Sequence, residues 1–121
     1  MIKSIQICCG LVLLCFACVQ PTTPHAIAVE LDMRDVENIQ SVGIRGEYPP
    51  LSWNEDFALA DPDGDGIYTG SFIMDIPYDD FRYKFVLNGN EFELQGQDNR
   101  VLNFEGKTEV KLAAVFDRLT P

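Results

Sequence analysis

Beyond residue 18 the chain contains no cysteine, because Cys8, Cys9, Cys15 and Cys18 account for all four. A disulfide framework or a cysteine zinc site is therefore excluded for the body of the protein. Histidine is scarcer still: His25 is the single one, and it falls in a Thr/Pro stretch where it is expected to lie outside the fold, so Ser–His or Cys–His nucleophilic chemistry has no base. Basic residues are few, with 9 Lys and Arg against 19 Asp and Glu for a net charge of −10. A nucleic-acid backbone or an anionic membrane surface would be repelled. After the first 19 residues there is no long apolar run and no sustained 3.6-residue repeat, so helix is expected to be scarce. The total of 121 residues is one domain's worth of chain and leaves no room for a separate catalytic domain.

What is present divides the chain in three. Residues 1–19 carry one early charge, Lys3, followed by an apolar run from Ile5 to Val19, the layout of a secretory signal. That run is shorter than the roughly 20 residues a membrane span requires. Residues 20–28 read as a linker or cleavage region, since Pro21 and Pro24 in a polar stretch break any helix. Two exits are open. Cys15-Phe16-Ala17-Cys18 resembles a bacterial lipoprotein box, which would make Cys18 the lipidated residue and the lipid the protein's one link to a membrane. Ala26-Ile27-Ala28 instead fits the small-x-small rule of an ordinary signal peptidase. Either exit implies export, to the periplasm, the cell envelope or outer membrane, or the medium.

Residues 29–121 then form the folded domain, and their pattern is that of strands. Val29 to Arg34 alternates strictly between apolar and charged residues. Ile39 to Arg45 is a second strand, and Ile67 to Ile76 a third, with Tyr68, Phe72, Met74 and Ile76 on one parity. Phe81, Tyr83, Phe85 and Leu87 point one way along the next, with Arg82 and Lys84 opposite. Asn88-Gly89 follows, and both residues tolerate the positive φ of a type I′ turn, so 81–94 reads as a hairpin. Thr108 to Phe116 closes the chain as another strand. Short strands at this spacing predict an all-β, immunoglobulin-like antiparallel β-sandwich of about 7–8 strands.

Trp53, the single tryptophan, follows Pro49-Pro50, which forbid a central strand there; the indole is either offered from a loop or tucked into the core. Asp61-Pro62-Asp63-Gly64-Asp65-Gly66 places carboxylates at alternate positions, like the opening half of a calcium loop. Phe72 stands where the closing bidentate acid of an EF-hand would be, so Asp61, Asp63 and Asp65 either hold calcium with help from elsewhere or simply build a tight turn.

Taken in order, Val42-Gly43-Ile44-Arg45-Gly46, Leu51-Ser52-Trp53, Ile67-Tyr68, Phe81-Arg82-Tyr83-Lys84-Phe85-Val86, Phe92-Glu93-Leu94 and Asp98-Asn99-Arg100 resemble the starch-binding domains of the family 20 carbohydrate-binding modules and their glycogen-binding relatives. The resemblance spans roughly residues 29–117 and rests on order and spacing. It implies a non-catalytic module for α-glucan, whether starch, glycogen or maltooligosaccharide, acting beside envelope glucan-utilisation proteins. It also implies a platform of Trp53 and Phe92, with Lys84 and Asn99 reaching sugar hydroxyls. Phe92 departs from the tryptophan usual in the family, and a smaller ring offers less area for stacking on a sugar's C–H face. Other roles stay open for these residues: Phe92 in the core, Lys84 as a solvated strand charge, and Asn99-Arg100 as a turn with a surface ion pair.

Glycoside hydrolysis would need two carboxyls held across a cleft about 5–9 Å wide. A small sandwich has no deep cleft, so no enzymatic activity and no cofactor other than calcium is expected. An alternative from a different class is an envelope protein–protein interaction module whose acidic loop is stabilised by calcium.

Overall fold

The computed structural model describes residues 20–119. The expected signal segment, with Cys18, lies outside them. Eight strands occupy the described residues, and none of these residues is helical: β1 (Thr23–Asp32), β2 (Val42–Gly46), β3 (Phe57–Leu59), β4 (Ile67–Ile76), β5 (Asp80–Leu87), β6 (Glu91–Phe92), β7 (Arg100–Asn103) and β8 (Glu109–Val115). They form an all-β sandwich of two sheets. A three-stranded sheet runs β4-β1-β8, and a five-stranded sheet runs β3-β2-β5-β6 with β7 also pairing β5.

Alternation produces this arrangement directly. The inward residues Ile27, Val29 and Leu31 of β1 meet Phe72, Met74 and Ile76 of β4, Val42 and Ile44 of β2, and Phe81, Tyr83 and Phe85 of β5 in one core. Fully burying each such side chain contributes about 1.5–3 kcal/mol.

Two expectations are corrected. Residues 20–28 are not the linker or cleavage region that their prolines suggest: β1 begins at Thr23 and runs in antiparallel register with β4 from Thr23↔Ile76 to Asp32↔Ile67. Pro24 is tolerated because of where its nitrogen points. The Ala26 N–H faces β8 and donates to the Thr108 carbonyl, and the parallel β1–β8 register starts only at Ala26↔Glu109. The nitrogen of Pro24 therefore faces the same side beyond the end of that ladder, where no bond is lost. His25 is consequently inside the fold. Its ring stacks on Phe104 with centroids 3.7 Å apart, and Nδ1 donates to the Lys107 carbonyl at 2.9 Å.

The second correction is to the purely antiparallel sandwich, since β1 and β8 pair in parallel. The first and last strands lie side by side, and with the whole domain between them no hairpin constrains their direction.

Candidate functional site

The outward side of β2 and β5 forms the floor of the site. Val42 and Ile44 face the core, so alternation turns Gly43 and Arg45 outward. Gly43 makes room: a Cβ there would come within 2.7 Å of the Asp56 Cβ. The Asp56 side chain therefore lies across β2 and reaches Arg45, whose Nε donates to Asp56 Oδ1 at 2.6 Å.

Arg45 ties the β2–β3 connection to the β5–β6 connection. Besides Asp56, its Nη1 donates to the Trp53 carbonyl at 3.3 Å and its Nη2 to the Gly89 carbonyl at 3.0 Å. Its guanidinium carbon also sits 5.2 Å from the centroid of the Phe92 ring, within cation–π range. Phe92 pairs with Val86 on the far side of β5 from Gly43, so register brings it to this face. The Trp53 loop is pinned below by buried Leu51, whose N–H donates to the Tyr48 carbonyl at 2.9 Å. Trp53 itself remains 36% exposed, so the loop presentation holds rather than a core position.

The other two expected contacts fare differently. Lys84 projects from the outward side of β5 as alternation requires, but it is buried under the chain that follows β6. Its Nζ donates to the carbonyls of Leu94 at 3.1 Å and Gln97 at 2.9 Å. It is a pin for residues 94–97, which corrects both the free sugar-binding ammonium and the solvated charge. Asn99 is exposed and stands one residue before the Tyr83↔Arg100 pair, next to Lys84 by register. The structure thus ties the Trp53 backbone and the Phe92 ring to Arg45, leaves Asn99 exposed and withdraws Lys84.

Arg100 departs from the surface ion pair considered for it. It forms a bidentate pair with Glu93 at 2.6 and 2.8 Å, with side-chain exposures of 9% and 0%. The same carboxylate accepts the N–H groups of Phe85 and Asp117, and Arg100 donates to the carbonyls of Val115 and Arg118. This buried cluster braces the base of Phe92 against the end of β8.

Arg45, Asp56 and Gly89 are the members that sequence reading missed. The signal was present in Arg45, a basic residue on the outward parity of a strand between a glycine and a loop, but its partners lie in other segments. The Arg45 charge is matched by Asp56, and the site offers an exposed indole, a half-covered phenyl ring and polar edges. Such a surface suits a neutral ring with apolar C–H faces and a hydroxyl rim.

The acidic loop is a separate place. One ligand oxygen from each of Asp61, Asp63 and Asp65 lies within 4.8 Å of the others. Asp61 accepts the N–H groups of Asp65 and Gly66, and Asp65 accepts that of Ile67. Partial desolvation pushes the Asp61 carboxyl up, but the Gly66 N–H and bonds from Asp63 and Asp65 outweigh it and hold it below the ordinary value. Asp63 is pushed up, chiefly by its contact with Asp61. Gly64 and Gly66 have φ of 72° and 86°, which supplies the tight-turn geometry.

Neither protein-family models nor curated proteins match this chain.

Proposed function

We propose that this protein is a non-catalytic module that binds α-glucan at the cell envelope by aromatic stacking. The observation that carries the reading is that Arg45, on the outward face of the five-stranded sheet, holds the backbone of the exposed Trp53 and faces the Phe92 ring, with exposed Asn99 next to Lys84 by register. Stacking on two unequal rings implies weak binding, with Kd roughly 10 µM to 1 mM, or about −4 to −7 kcal/mol. Trp53 is the single tryptophan, so its emission reports the site alone. Titration with maltoheptaose or β-cyclodextrin is expected to change that emission and to release heat; unchanged emission with no heat at millimolar ligand overturns the reading. Export is part of the proposal, with Cys18 as the lipidated residue, and the start of β1 at Thr23 supports a junction upstream of it.

A second reading, an envelope protein-docking module stapled by calcium, is favoured by the clustering of the Asp61, Asp63 and Asp65 oxygens. It calls for a melting temperature that rises with calcium, falls with a chelator and ignores maltoheptaose. An Asp63→Asn variant that melts like the parent in calcium reduces the loop to a turn.

A further inference from the structure

We infer that Arg45 is the positioning residue of the glucan platform, an inference that rests on the function proposed above and adds a determinant to it. Two connections that share no backbone ladder with each other meet at its guanidinium: β2–β3, through the Trp53 carbonyl and the Asp56 carboxylate, and β5–β6, through the Gly89 carbonyl. Phe92 completes the set through its ring face.

The chemistry of the side chain fits that task. A guanidinium is a planar fork of five donors that can hold acceptors in fixed directions and stack on an aromatic face at the same time. Here Nε and Nη1 donate to two points of the β2–β3 connection and Nη2 to the β5–β6 connection. The arginine side chain is 15% exposed, so the fork is turned into the protein and its effect on a ligand passes through the Trp53 backbone and the Phe92 ring that it holds. Gly43 belongs to the same device, because only a residue without Cβ lets Asp56 cross β2 to reach the fork. A lysine at this position would keep the charge and lose the fork.

The test uses the full chain with Arg45→Gln and Arg45→Lys, and with Arg82→Gln as a control on the exposed, looser pair to Glu47 at 3.8 Å. Two readouts are taken: acrylamide quenching of Trp53 without ligand, and affinity for β-cyclodextrin. In both Arg45 variants, quenching is expected to rise about two-fold and affinity to fall about ten-fold, the loss of roughly one charge-assisted hydrogen bond. The control is expected to match the parent in both. Full rescue by lysine overturns the inference, since charge alone would then suffice. Lost affinity with unchanged quenching overturns it as well, because Arg45 would then touch the sugar directly. If Arg45→Gln does not fold, Arg45→Lys decides by the same readouts. If the parent binds no glucan, the proposed function fails, while the ligand-free quenching still decides whether Arg45 holds the Trp53 loop.

Discussion

Glu93 and Arg100 meet in a bidentate pair inside the sandwich, one residue along the chain from the half-exposed Phe92. Both carboxylate oxygens are used, by the arginine and by the backbone N–H groups of Phe85 and Asp117. Exposed pairs contribute at most about 1 kcal/mol, but breaking a buried one strands a charge and costs about 3–5 kcal/mol. Glu93→Gln keeps the shape and removes the charge. It is expected to lower the unfolding free energy by that amount in urea titrations; a change under about 1 kcal/mol would mean that water reaches the pair.

The start of β1 yields a sharper test. Residues 23–28 contribute His25 and Ile27 to the interior and six pairings, from Thr23↔Ile76 to Ala28↔Ser71, to the ladder with β4. A chain beginning at Gln20 is expected to unfold cooperatively on heating, and one beginning at Val29 to show no cooperative transition. Equal melts for the two would assign β1 north of Val29 no part in stability and restore cleavage after Ala28.

Alternation made the long strands legible. The inward sets of β4 and β5 are those read from the sequence, and Asn88 and Gly89 do adopt φ of 54° and 77°. The hairpin connection is three residues rather than two, because Leu87 pairs with Glu91. β3 and β7, of three and four residues, are too short to show a period. The site was legible in part. Trp53 was betrayed by its prolines, but Glu93 and Leu94 are both buried in succession because the chain turns at Leu94, with φ of 51°, and no alternation survives that turn. Lys84 pointed outward as expected, yet what covers it comes from residues 94–97, which carry no pattern that alternation could read.

Tyr83 makes stability fall at high pH. Burial is the main cause that pushes its phenol up to about 12, against 10.0 ordinarily, opposed by the nearby Arg100. Between those values the unfolded chain releases a proton that the folded chain retains, so unfolding is favoured as pH rises from about 10 towards 12, and full stability is present below about 10. A loss of about 2 kcal/mol across that window is expected in denaturant titrations, and Tyr83→Phe is expected to remove most of the slope. An unchanged slope in Tyr83→Phe would assign the alkaline loss to other groups.

Trp53 and Lys84 are expected to separate binding from folding. Trp53→Ala removes an exposed ring whose carbonyl, the part that Arg45 holds, belongs to the backbone and remains. Glucan binding should vanish in calorimetry while the folding free energy moves by no more than about 0.5 kcal/mol, as for a surface change. Lys84→Met keeps the stem and leaves the carbonyls of Leu94 and Gln97 without their donor. Its cost should appear first in stability, about 1–3 kcal/mol, with affinity falling only as residues 94–97 loosen beside Asn99. The reverse result for Lys84→Met, an unchanged melt with binding lost, would mean that the ammonium leaves its two carbonyls to serve the sugar. A large loss of stability in Trp53→Ala would make the indole a structural ring, and the platform would then have to be sought elsewhere on the sheet.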